Sequence, residues 1–277
     1  MAKIIISRAI IALFVLLLSG CNLQRNMLYY PSTYVPSQAS LSMYNLQFWP
    51  SEANDYRGFI SILPAGKTKG TIIVFHGNAG TAADRAYYVK ALSQLGFQVI
   101  LAEYPGYGAR KGELGEETFV TDAKETLRLT SEKFGPPIFI LGESLGCGVA
   151  AAAAKDSPVT IDGIILITPW DTLLSVAKEK VTWLPVGLFM RDKYDTIGNL
   201  KNYQGRIAVI GAEQDEVIPI HHAQTLFQSL SGAQGSHKMY TIKGAGHNDW
   251  PGMVDLAWWK EITAFIQGDN SESVGRE

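Results

Sequence analysis

Hydrophobic positions along this chain fall into short unbroken runs separated by longer stretches of helical spacing. Thr71–Phe75, Phe97–Ala102, Ile138–Leu141, Gly163–Thr168 and Ile207–Ile210 are runs of the first kind, and Lys238–Ile242 is a last, more mixed one. An unbroken apolar run of this length suits a parallel strand covered on both faces. Between them, Asp84–Leu95, Glu116–Phe134, His221–Leu230 and Val254–Ile266 carry apolar residues at helical spacing. Gly96 stops the first of these and Gly135-Pro136-Pro137 the second, because glycine favours a helix C-terminus and proline cannot continue one. Near the start, Leu41–Trp49 and Tyr56–Leu63 alternate only in part, as antiparallel edge strands do. Strands alternating with helices predict an α/β fold, a mostly parallel sheet with helices on both faces. In such sheets functional groups collect beyond the C-terminal strand ends.

The pattern weakens from residue 169 to 199, where Trp170, Trp183, Pro185, Phe189 and Met190 follow no clear period. That stretch predicts a short cap insertion over the sheet. One domain over residues 42–267 accounts for the periodic elements, with residues 21–41 as a tether and 268–277 as a polar, disordered tail. A chain of 277 residues, 47% hydrophobic and 18% charged, can fill a single core without a disulfide or metal staple. The formal net charge of −2, with no run of like charge, offers no basic face for nucleic acid.

Residues 1–20 have the build of a targeting signal. Lys3 and Arg8 precede an apolar run from Ala9 to Leu18, and small residues follow. The run is about half the ~20 residues a membrane span requires. Leu18-Ser19-Gly20-Cys21 resembles the lipobox of bacterial lipoproteins. The resemblance implies cleavage before Cys21 and a lipid anchor on its sulfur. With Asn22 rather than aspartate next, the sorting habit favours the outer membrane facing the periplasm. Of the 2 cysteines, a lipidated Cys21 leaves Cys147 unpaired, as a small residue behind a turn.

That turn is the most informative stretch. Ile138–Leu141 runs into Gly142-Glu143-Ser144-Leu145-Gly146, and Cys147-Gly148-Val149 with five alanines follows. Strand, abrupt turn and small-residue helix force the residue at the apex into a strained conformation and bring two backbones close. Glycines at 142 and 146 remove the side chains that would clash. Ser144 then projects from a strand end at a helix N-terminus, the placement of an activated nucleophile. A serine hydroxyl needs a base to take its proton, and histidine, with an ordinary pKa of ~6.5, suits neutral pH. Of the 5 histidines, only His247 lies in a Gly-x-Gly-His turn after the last strand. His221 and His222 begin a helix and are expected to be exposed, and His237 precedes a strand. A carboxylate must hold the far ring nitrogen. Asp215, beyond the Ile207–Ile210 strand, Asp171, Glu213 and Glu216 are the candidates, and the α/β-hydrolase pattern that this stretch resembles implies Asp215.

The order Ser144, Asp215, His247 on a G-x-S-x-G elbow resembles the α/β-hydrolase fold across nearly all of residues 42–267. The resemblance implies an oxyanion hole from Leu145 N–H and from Asn78 N–H in the turn His76-Gly77-Asn78-Ala79-Gly80, with His76 structural. Together with Tyr104-Pro105-Gly106-Tyr107-Gly108, that turn is similar to the small-lid Bem46 and depalmitoylase-like subgroup. The subgroup implies cleavage of acyl esters, thioesters or lysophospholipids. This chain departs from its elbow at Glu143, where Arg or His is usual, and at Cys147, which interrupts a pair of glycines.

The expected function is a membrane-anchored serine hydrolase of carboxylic esters or thioesters, with a small acyl ester, thioester or lipid-like substrate. A serine peptidase or amidase on the same residues and a non-enzymatic binding lipoprotein are the alternatives. No G-x-G-x-x-G follows the first strand, and no Cys/His cluster is visible along the sequence, so no cofactor and no metal are expected.

Overall fold

The computed structural model describes residues 24–51, 55–64, 66, 68–231 and 235–269. Residues 1–20, Cys21 and most of the tail lie outside them. The main sheet contains β2 (Leu46–Trp49), β3 (Gly58–Ser61), β4 (Thr71–Phe75), β6 (Gln98–Ala102), β7 (Ile138–Glu143), β8 (Gly163–Ile167), β9 (Arg206–Ala212) and β10 (Ser236–Ile242). Their spatial order is β10-β9-β8-β7-β4-β6-β3-β2. All neighbours from β10 to β6 run parallel, and β3 and β2 add on antiparallel at one edge. Of the two partly alternating segments, expected as edge strands, only β2 lies at the edge; β3 is one strand in, paired with both β6 and β2 and fully buried.

Though the central runs look uniform in sequence, consecutive side chains go to opposite faces. Ile73, Phe75, Ile140, Ile164, Leu166, Ile207 and Val209 join one buried cluster. Ile72, Val74, Leu141, Ile165, Ile167, Ala208 and Ile210 join the other. Helices Glu116–Phe134, Leu145–Ala154 and His221–Leu230 cover the first face; Ala86–Gln94 and Leu256–Gln267 cover the second. With both faces covered, each large side chain contributes roughly 1.5–3 kcal/mol on burial. The sheet is thus a stiff platform for whatever its C-terminal edge carries.

The tether expected over residues 21–41 needs correction: from Gln24 onward the chain is docked on the domain. Residues 24–28 are helical, and Tyr29 is buried with its ring 5.2 Å from Phe119 in an edge contact. The Tyr29 hydroxyl donates to Asp192 Oδ2 at 2.9 Å and lies 3.1 Å from the Tyr194 hydroxyl. A two-residue strand, β1 (Tyr30–Pro31), pairs parallel with β5 (Ala79–Gly80). Tyrosine combines apolar area with a polar tip that can be satisfied, which is why a proline-interrupted segment can dock without forming a long element.

The stretch expected as a cap insertion forms helix Leu173–Lys180, a single tight turn at Val186–Leu188 and helix Thr196–Leu200. It is pinned beneath by Trp170, whose Nε1 donates to Tyr194 O at 3.2 Å. A Cβ on Gly148 would stand 2.8 Å from the Tyr194 ring, so the cap packs directly on the helix that follows Ser144.

Candidate active site

β7 ends in a reversal whose apex is Ser144, with φ 53° and ψ −115°. A non-glycine residue with such a φ costs roughly 1–3 kcal/mol and persists only where its surroundings enforce it. Here Ser144 N–H donates to Ile167 O and its carbonyl accepts from Cys147 N–H, both at 2.9 Å. The Cys147 thiol lies 3.1 Å from Gly142 O and 3.2 Å from Ile167 O. Burial pushes that thiol's pKa well above its ordinary value, so Cys147 stays a neutral donor bracing the turn.

The glycines work as the sequence predicts. A Cβ on Gly142 would lie 2.5 Å from Gly146 O, and one on Gly146 would lie 1.9 Å from Phe75 O. The elbow therefore presses against the end of β4. Beyond β4 runs the His76–Gly80 turn, where a Cβ on Gly77 would stand 3.7 Å from Ser144 Cβ. Asn78 is fixed there: its Nδ2 donates to Leu28 O at 2.8 Å, and its carbonyl accepts from Tyr30 N–H at 2.9 Å and the Tyr107 hydroxyl at 2.6 Å. Leu145 opens its helix and so has no intrahelical acceptor for its N–H. His76 is buried between Glu103 Oε1 at 3.1 Å and Gly77 O at 2.7 Å, the structural placement expected of it.

Ser144, Asp215 and His247 meet at the C-terminal edge. His247 Nε2 lies 3.0 Å from Ser144 Oγ and its Nδ1 lies 2.7 Å from Asp215 Oδ2. All three are buried, with 7–9% of their surface exposed. The free carboxylate oxygen, Asp215 Oδ1, accepts Val217 N–H at 2.9 Å and Ile218 N–H at 2.7 Å. These bonds aim the other oxygen at the ring. Of the rivals, Asp171 Oδ1 binds His222 Nδ1 at 2.8 Å and accepts from the Ser175 hydroxyl. Glu213 accepts Gly244 N–H at 2.8 Å, and Glu216 lies 3.3 Å from His247 N. Neither binds the His247 ring.

Two features escaped sequence reasoning. His222 is not exposed; only 1% of it reaches solvent, because Asp171 and the cap helix close over it. Glu143 is the second. Its Oε1 accepts from Arg85 Nη2 at 3.1 Å, and its Oε2 from the Tyr88 hydroxyl at 2.8 Å and from the Tyr87 hydroxyl. Burial works to raise the Glu143 pKa, but Arg85 and the two hydroxyls outweigh it and leave it below the ordinary value. The chain thus places a paired carboxylate next to Ser144 in sequence and turns it toward the segment Ala82–Gln94.

A group with a depressed folded pKa stabilises above the unfolded carboxylate value of ~4.3 and loses that contribution as pH falls through the folded pKa. Glu143→Ala should cost about 3 kcal/mol at neutral pH, since it leaves the half-buried Arg85 without its carboxylate partner. Glu143→Gln should flatten the acid limb of the stability curve. Urea unfolding across pH 3–7 reads both; an unchanged acid limb in Glu143→Gln would remove Glu143 from the account.

The fold, and the meeting of serine, histidine and aspartate at its strand ends, define the class of the α/β-hydrolases. Residues 66–187 match the family described as serine aminopeptidase, S33 (Hydrolase_4). An uncharacterised protein of Mycobacterium tuberculosis is 30% identical over 239 residues, 84% of this chain and 83% of that one. The zebrafish (Danio rerio) lysophosphatidylserine lipase ABHD12 is 28% identical over 192 residues, 62% of this chain and half (50%) of the lipase. Among solved structures, an esterase of Pyrococcus furiosus superposes with TM-score 0.64 at 13% identity, over 87% of this chain and 98% of the esterase. The chain has the α/β-hydrolase fold and belongs to one family with the mycobacterial protein.

Proposed function

We propose that this chain is a membrane-anchored serine hydrolase that cleaves carboxylic esters or thioesters through an acyl-Ser144 intermediate. The observation that carries the reading is the continuous Asp215–His247–Ser144 hydrogen-bond path. Ser144 Oγ attacks the acyl carbonyl carbon while His247 Nε2 takes its proton. Asp215 holds the ring by Nδ1 and stabilises the imidazolium that forms. The charge that develops on the carbonyl oxygen falls to Leu145 N–H and Asn78 N–H, a contribution of ~2.7–4 kcal/mol for each such donor. On collapse the alkoxide or thiolate leaves with the proton from His247. Water then repeats the sequence and releases the acid.

Small-lid Bem46 and depalmitoylase-like substrates, acyl esters or thioesters with a lipid-like chain, fit an anchored enzyme of this kind. The lysophosphatidylserine lipase named among the relatives is consistent with that class. The anchor rests on the lipobox at Cys21. We place the protein in the bacterial cell envelope, with the outer membrane facing the periplasm as the favoured site. Cys21→Ala is expected to move it from the membrane to the soluble fraction; a variant still pelleting with membranes at high salt would refute the lipid anchor.

A second reading, amide cleavage, is favoured by the aminopeptidase name of the matched family. A p-nitrophenyl ester series of rising acyl length, run beside aminoacyl and peptidyl p-nitroanilides, separates the two. The proposal expects ester turnover to exceed anilide turnover at every chain length. Faster anilide cleavage would transfer the chain to the amidase reading.

A further inference from the structure

Among the described residues outside the candidate active site, Glu179, His221 and His222 bring three potential metal-ligating side chains together. Glu179 lies on the cap helix Leu173–Lys180, and His221 and His222 open the helix His221–Leu230. Consecutive helical residues normally diverge, yet the two imidazole rings lie 4.3 Å apart at 34°. Both face the same carboxylate. His221 Nε2 is 2.8 Å from Glu179 Oε1, and His222 Nε2 is 3.3 Å from Glu179 Oε2.

His222 points to what belongs there. It is buried, and its Nε2 makes no hydrogen bond of normal geometry, with Glu179 Oε2 3.3 Å away. Its Nδ1 lies 2.8 Å from Asp171 Oδ1, an acceptor, so Nδ1 carries the proton. A cation that displaces any proton from Nε2 would then meet that nitrogen's lone pair within the cluster. A carboxylate that fixes a histidine tautomer so that the other nitrogen faces outward is the common support of a metal-binding imidazole.

We propose that Glu179, His221 and His222 form a binding site for a divalent transition cation, with Zn²⁺ the best match to two imidazoles and one carboxylate. The three donors lie within 4.8 Å of one another. Tetrahedral zinc with bonds of 2.0–2.1 Å separates its ligands by about 3.4 Å, so closure needs only small side-chain adjustments. The positive end of the helix dipole at His221 opposes a cation, and the carboxylates of Glu179 and Asp171 offset it.

Such a site would join the cap to the chain just beyond Asp215. Val217 and Ile218 hold the Asp215 carboxylate, and His221 follows three residues later. Lys180 Nζ already reaches Glu216 O at 3.3 Å. The bound cation would fasten the cap helix over that loop, as a structural or regulatory clamp rather than a participant in acyl transfer. The site does not depend on what Ser144 does.

The test uses the full chain in detergent, free of any histidine tag and stripped with a chelator. Metal content after equilibrium dialysis against ZnCl₂ should reach one ion per chain, and the same additions should raise Tm. Glu179→Gln and His221→Ala, at exposed positions that leave the core intact, should each weaken binding ten-fold or more and remove the Tm rise. Asp171→Asn should weaken it about 10–100-fold through His222. No saturable binding, or binding unaltered in both Glu179→Gln and His221→Ala, would overturn the site.

Discussion

Ser144→Ala is expected to lower ester hydrolysis by about 10⁴-fold or more, because the path from His247 loses the atom it serves. Stability should move in the opposite direction or not at all. The apex keeps its φ of 53°, alanine is no less tolerant there than serine, and a small side chain fills the space. His247→Gln should produce a comparable loss of activity. The two changes together should cost little more than either alone, since groups acting as a unit are not additive. Parallel rate and urea-unfolding measurements check this. An active Ser144→Ala, or a double variant whose loss is the product of the singles, would mean that the hydroxyl and the imidazole act separately.

The second large effect falls on the fold. Gly146→Ala would place a Cβ 1.9 Å from Phe75 O and 2.8 Å from His76 O. Both are backbone atoms of the strand end and turn beside the elbow, and neither can rotate away. Overpacking of this kind costs about 3 kcal/mol where the surroundings can yield, and here they carry the central strands. The expected outcome is an insoluble protein or one with a much lower unfolding midpoint. Any folded fraction should be poorly active, because relief of the clash pushes the 76–80 turn away from Ser144. Gly252→Ala is the control, since no atom lies within 4 Å of the added carbon. Equal midpoints for the two variants would show that the elbow does not need close contact with β4.

Most of the scaffold was legible because its signals are local. Unbroken apolar runs marked β4 and β7, and Gly135 with two prolines marked the end of the helix Glu116–Phe134. The elbow was legible for the same reason: its glycines, apex serine and alanine-rich helix are adjacent in the chain. His247 and Asp215 could be placed because each follows a recognisable strand, even though they are 32 residues apart.

What escaped depended on contacts between distant segments. His222 reads as a polar residue at a helix start, and its burial is set by Asp171, 51 residues earlier. Glu179 joins the same cluster from 42 residues before His221, so no spacing rule for metal ligands could reveal it. Residues 24–41 read as a tether because prolines and polar residues interrupt them. Tyr29 was the available signal, since a tyrosine whose hydroxyl finds a partner favours docking over solvent. Glu143 was visible only as a departure from a family pattern. Its meaning lies in Arg85, Tyr87 and Tyr88, which reach it across the sheet edge.

The central claim is that Ser144 carries the acyl group. Its most direct test is to quench the reaction with a fluorophosphonate ester and locate the adduct by peptide mass spectrometry. The account predicts one phosphonyl group per chain, on the peptide holding Ser144, formed in the wild type, much slower in His247→Gln and absent from Ser144→Ala. An unlabelled wild type, or an adduct on another residue that persists in Ser144→Ala, would contradict it.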